Sequence, residues 1–90
     1  MNPEDDAAYS LEIVARLSGV DAELVLHYRE QGLIRPLPGF NDRFDDEAVR
    51  TLRRIDHLRS TCGVNEDGLR LVLGLLDEVE RLRGEIRRRS

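Results

Sequence analysis

A single cysteine in ninety residues, Cys62, excludes a disulfide framework and any cysteine-based set of metal ligands. Standing alone, it reads as a small buried hydrophobe. Histidine is nearly as scarce, and His57, beside Asp56, has no second ligand at metal spacing, so no metal is expected. The chain lacks a Ser-His-Asp or Cys-His arrangement and a glycine-rich phosphate loop. A domain this short can build a core that folds alone but cannot enclose a deep substrate pocket. We therefore expect no catalytic residue, no enzyme activity and no cofactor. No apolar run reaches the length of a membrane span and nothing resembles a signal peptide, which leads us to expect a soluble, cytoplasmic protein without membrane contact. Lysine is missing as well. All fourteen cations are arginine, against eighteen carboxylates, for a formal charge of −4. Nucleic-acid affinity rests on cationic contacts that release counterions, so an acidic chain is poorly placed for it. The expected partner is something basic, or another protein.

What is present is a run of capped, amphipathic segments. Residues 1–8, MNPEDDAA, have no apolar periodicity and read as a flexible acidic N-terminus. Ser10 can cap a first helix in which Ile13, Val14 and Leu17 recur at helical spacing, and Ser18-Gly19 ends it. Asp21 can cap a second helix with Leu24, Val25 and Tyr28 turned inward and Gly32 where a left-handed residue is wanted. Two short helices joined by a tight, glycine-containing turn outline a helix-turn-helix. The stretch LIRPLPGFNDRF suits a small two-stranded wing turning near Pro38, Gly39, Phe40 and Asn41. Asp45 can cap a third helix whose inner face is Val49, Leu52, Ile55 and Leu58, with Gly63 ending it. Asn65 can cap a last helix running to about Arg89. Residues 9–64 thus form a winged body, and residues 65–90 a long C-terminal helix of the same domain.

Two surfaces carry the functional reading. Glu23, His27 and Glu30 follow at four- and three-residue steps and so share one face of the second helix. With Asp21 and Leu26 they form the candidate partner-binding set. On the last helix Val72, Leu75, Val79, Leu82 and Ile86 alternate three- and four-residue steps, the spacing of a coiled-coil seam, and this stripe exceeds what so small a body can bury. It is the candidate dimerisation element, and a homodimer through the C-terminal helix is expected. Arg50, Arg53, Arg54 and Arg59 form a basic edge on the third helix, read as pairing with acids such as Asp46, Glu47 and Asp56. Tyr28 and Phe44 read as core.

From Tyr9 to about Leu76 the sequence resembles the MerR-type DNA-binding fold. The matching stretches are YSLEIVARLSGVDAELVLHYREQGLI, the pair Arg43-Phe44 followed by DDEAV, and LRRIDHLRSTCGVNEDGLRLVL. The resemblance implies an all-α, winged helix-turn-helix fold with a small β-wing and a long C-terminal helix. The departure lies in the reading helix. Where MerR-type regulators carry basic or polar residues around a T-L-R-Y-Y-like run, this chain has ELVLHY, with Glu23 and Leu26 in place of cations. A carboxylate aimed at a phosphate is repelled, and Leu26 offers no hydrogen bond.

One branch of the fold shares that loss. The chain is similar to the CbpM chaperone-modulator family in its size, its acid-rich entry to the third helix, and the exit at Gly32, Leu33, Ile34 and Pro36. It also shares the ending LLDEVERLRGEIRRR. That similarity implies a modulator that binds the J-domain of a DnaJ/CbpA-like co-chaperone and competes with DnaK, which docks on a basic J-domain helix. No specific nucleic acid would be bound. The alternative is a MerR/HspR-type DNA-binding transcription regulator, since the turn at Gly63, Val64 and Asn65 also looks similar to HspR.

Overall fold

The computed structural model describes residues 8–40 and 42–89. The remainder of the acidic N-terminus, Asn41 of the wing turn and Ser90 lie outside the described residues. In chain order the elements are β1 (Tyr9–Ser10), α1 (Leu11–Ser18), α2 (Ala22–Glu30), β2 (Arg43–Phe44), α3 (Asp46–Cys62) and α4 (Glu66–Arg89). This is the winged helix-turn-helix expected, with four helices and a two-stranded antiparallel sheet among the described residues.

Local chemistry sets most boundaries. The Ser10 hydroxyl accepts the Ile13 N–H at the start of α1, the Asp45 carboxylate accepts the Ala48 N–H at the start of α3, and the Asn65 side chain accepts the Gly68 N–H in the first turn of α4. Asp21 departs from this pattern: it precedes α2 but makes no capping hydrogen bond, and its exposed carboxylate contributes only through the helix dipole. The turn between α1 and α2 is held by Ser18, which is buried; its hydroxyl donates to the Ala15 carbonyl and accepts from the Val20 N–H. At the end of α2, Gly32 has φ 77°, and the Leu33 and Gly32 N–H groups bond to the Tyr28 and Arg29 carbonyls. This Schellman closure requires the left-handed residue.

The wing differs from the expectation. Among the described residues the segment LIRPLPGFNDRF holds a single strand, β2, which pairs with β1, Tyr9 opposite Phe44 and Ser10 opposite Arg43. Pro36 and Pro38 lack the N–H donors that a first arm would need, so the partner strand comes from ahead of α1. The loop between is a type II turn, with Pro38 and Gly39 at its centre, Gly39 at φ 85° and the Phe40 N–H on the Leu37 carbonyl. One further bond, Leu37 N–H to the Arg43 carbonyl at 2.7 Å, ties it to β2.

Tyr28, Phe44, Leu52, Ile55 and Leu69 are fully buried with Val14 and Val25, drawing every helix into one core. Burial of each of these larger side chains contributes on the order of 1.5–3 kcal/mol. Leu24 and Leu58 are only partly buried at its edge. Cys62 corrects the sequence reading: it is exposed, because the last turns of α3 run past the final core residue, Ile55. Ile13 and Leu17 are likewise exposed, and Val14 alone among the three apolar residues expected to mark α1 is buried.

Candidate partner interface

The outer face of α2 is built by subtraction. Val25 and Tyr28 are taken by the core, so a helix advancing 100° per residue turns Glu23, Leu26 and Glu30 outward. Glu23 and Glu30 are exposed, Asp21 is exposed one position before the helix, and Leu26 lies half-buried between the carboxylates. Arg29, the helix's only arginine, sits half-buried on its flank. His27 was expected on the same free face, yet its Nε2 hydrogen-bonds the Glu66 carboxylate at the start of α4. The ring is therefore oriented by the C-terminal helix and not by solvent alone. Glu66 was not visible as its partner, because 39 residues separate the two.

The arginines have a use that sequence reasoning missed. Of the basic edge on α3, Arg50 does pair with Glu47 at 2.7 Å, which raises the Arg50 pKa above its ordinary value through that hydrogen bond. The others reach across the molecule. Arg53 donates twice, at 3.2 and 2.9 Å, to the Leu17 carbonyl in the last turn of α1. Arg59 donates to the Tyr28 hydroxyl at 2.7 Å, and Arg54 pairs with Glu80 of α4 at 3.4 Å. Arg70 of α4 donates to the Gln31 carbonyl and side-chain oxygen, 3.0 and 3.1 Å away, at the end of α2. Both helices of the helix-turn-helix thus have terminal carbonyls, left over by their own hydrogen-bond ladders, satisfied by a guanidinium from elsewhere. Nothing in the sequence pairs these arginines with those carbonyls, which lie 36 and 39 residues away.

The second candidate surface is exposed over most of its length. Leu75, Val79, Leu82 and Ile86 are 58, 42, 44 and 65% exposed, Val72 is half-buried, and Leu71, which the seam spacing did not include, extends the stripe. Among the described residues no group of three or more histidine, cysteine or carboxylate side chains could hold a metal ion, and no helix is long and apolar enough to cross a membrane. A groove of about 390 Å³ between the loop of residues 32–38, the start of α3 and Leu73 and Leu76 of α4 is open and lined by charges of both signs, without a nucleophile–base pair.

Over residues 9–89 the chain matches the family described as MerR HTH family regulatory protein. It is similar to the chaperone modulatory protein CbpM of Pseudomonas entomophila, 35% identical over 68 residues, which cover 73% of this chain and 67% of the relative. It is also similar to a protein named heat shock protein HspR from Streptomyces coelicolor, 27% identical over 81 residues, 88% of this chain and 54% of the relative. The chain spans about half the length of the HspR relative.

Proposed function

We propose that this chain, which belongs to the MerR helix-turn-helix family of regulatory proteins, is a chaperone modulator that binds the J-domain of a DnaJ/CbpA-like co-chaperone and competes with DnaK for it. The observation that carries this reading is the outer face of α2. The element that would enter a DNA groove in a helix-turn-helix presents Glu23 and Glu30 with Leu26 between them. Such a face repels phosphate and complements a basic helix, with an apolar contact at its centre. The similarity to a chaperone modulatory protein supports the same choice of partner class. The role involves no bond made or broken: while the modulator occupies the J-domain, DnaK has no access. The exposed stripe of α4 supports a homodimer, since an apolar strip of this length is normally covered by a partner helix.

The second reading, a DNA-binding transcription regulator, is favoured by the family description and by the HspR relative. One set of titrations separates the two. Calorimetric titration into a J-domain at two salt concentrations is expected to show salt-sensitive binding. The double reversal Glu23→Arg, Glu30→Arg is expected to weaken it by roughly 2–3 kcal/mol, about a hundredfold, while melting stays within about half a kcal/mol of wild type. Equal affinities for the two proteins with no salt dependence would place the J-domain site elsewhere. Nanomolar, sequence-selective binding to a short palindromic duplex would replace the modulator reading with the regulator.

A further inference from the structure

A helix face can dock a partner only if the helix keeps its roll angle, and α2 is poorly able to keep its own. It is nine residues long, short of the roughly 12–15 that an isolated helix needs to persist in water, and Asp21 makes no capping hydrogen bond. Within it Val25 and Tyr28 are the buried residues, and on that side Arg59 of α3 holds the Tyr28 hydroxyl at 2.7 Å. We propose, resting on the J-domain reading of its outer face, that Glu66 and Arg70 of α4 are positioning residues. They hold α2 at the angle that presents Glu23, Leu26 and Glu30, and so set partner affinity without touching the partner.

The two contacts form a matched pair. His27 and Gln31 are one four-residue step apart at the end of α2, and Glu66 and Arg70 are one four-residue step apart at the start of α4, so each pair shares a flank. The rungs follow in the same order along both segments. His27 Nε2 donates to the Glu66 carboxylate, and the Arg70 guanidinium donates to the Gln31 carbonyl and side-chain oxygen at 3.0 and 3.1 Å. A slip of either helix by one residue moves its side chains by about 1.5 Å along the axis and about 100° around it, which breaks both rungs together. The pair therefore fixes register as well as roll.

Its place on α2 decides what it restrains. At about 100° per residue, the flank with His27 and Gln31 lies about 110° from the direction of Val25 and Tyr28 and roughly a quarter-turn from the middle of the partner face. Two buried side chains on one side leave a short helix free to rock about them, and bonds on the flank oppose that rocking. On α4 the same pair adjoins Leu69 and Leu73, which the core holds, so the restraint is anchored in the body of the protein.

Charge separates positioning from attraction. Arg70 is a cation close to an acidic face. Acting on a basic partner through its charge alone, it would repel, and its removal would tighten binding. Acting through α2, its removal lets the helix adopt several angles, and apparent affinity falls in proportion to the fraction of chains that keep the competent one.

Arg70→Met, which keeps an apolar stem and removes the donors, tests the difference in sign. Calorimetric titration into the J-domain is expected to show binding about five- to tenfold weaker than wild type, the loss produced when the competent fraction falls to about a fifth to a tenth. Arg70→Lys keeps the charge but cannot hold two oxygens in one fork, and is expected to fall between the two. In the free chain, amide exchange in Arg70→Met is expected to be about tenfold faster at residues 25–31, with Leu52 and Ile55 of α3 at wild-type rates. Binding equal to or tighter than wild type would overturn the inference, as would unchanged exchange in α2. Equal acceleration at Leu52 and Ile55 would make Arg70 a residue of general stability and overturn it too. All three results leave the J-domain reading standing. A wild-type chain without affinity for the J-domain would remove that reading, and the inference with it.

Discussion

The two halves of α4 are one continuous helix of 24 residues, about 36 Å long, yet they live in different surroundings. In residues 66–76 the helix belongs to the body: Leu69 is fully buried, Leu73 nearly so, Arg70 closes the end of α2 and Glu66 holds His27. In residues 77–89 most pairing is within the helix, Arg81 to Glu78 and Glu85, with Arg54 to Glu80 as a tie back to α3. Both halves are equally helical, although the first holds two carboxylates and one arginine and the second four carboxylates and five arginines. The difference shows that the core accounts for the first half only. The second half carries Val79, Leu82 and Ile86, all exposed and at the three- and four-residue spacing of a coiled-coil seam.

The largest expected effect sets the halves against each other directly. Leu69→Ala opens a cavity in a filled core and should cost about 2–5 kcal/mol. For a domain of this size that lowers the melting temperature by roughly 10 °C or more. Leu82→Ala, of identical chemistry on the exposed stripe, should leave the stability of the separated chain within about half a kcal/mol of wild type and act on self-association instead. Thermal melts at several protein concentrations read both outcomes. The comparison breaks if Leu82→Ala lowers the melting temperature as much as Leu69→Ala at every dilution.

That contrast also marks how far the sequence could be read. Helix limits were legible because each cap is a local event: Ser10, Asp45 and Asn65 bond to backbone three residues on, and Gly19, Gly32 and Gly63 take positive φ where a helix closes. The acidic face of α2 and the stripe of α4 were legible because helical periodicity needs no tertiary information. The particular contacts between residues distant in the chain were not legible. Two-residue strands show no alternation, so the pairing of Tyr9 with Phe44 left no trace. Arg53 on Leu17, Arg59 on Tyr28 and His27 on Glu66 depend on where the helices land relative to one another. Ile13 and Leu17 have the right spacing for a core face, but only Val14 meets α3 and α2 squarely enough to be buried.

Glycine gives a smaller and sharper contrast between the same halves. A Cβ built on Gly68 would come within 2.6 Å of Val64 Cγ1, so Gly68→Ala has to displace Val64 from its place against the core. Gly84 faces open space. There, alanine removes only the conformational freedom of the unfolded chain and should stabilise by roughly 0.5–1 kcal/mol. Since Gly84 lies off the seam, the substitution should not disturb self-association. Urea unfolding is expected to give opposite signs for the two variants. The same sign for both would mean that the packing of Val64 on Gly68 adapts freely.

The smallest expected effect concerns protons on the distal half. Its hydrogen bond to Arg81, and then the attraction of that charge, hold the Glu78 carboxyl below its ordinary pKa of 4.5. A group whose pKa is depressed by folding stabilises the folded form above its unfolded value and loses that contribution as pH falls through the lower, folded value. The Glu78 contribution should therefore be complete at neutral pH and fade only below about pH 4.5. Both side chains are exposed, so screening by water and salt keeps it small. Other carboxylates of α4 titrate in the same range, which makes the useful quantity a difference. Helical circular dichroism of wild type and Glu78→Gln, followed from about pH 7 to about pH 3, should show wild type more helical at neutral pH and the gap closing under acid. A gap that persists unchanged into acid would mean that Glu78 acts on α4 through something other than its charge.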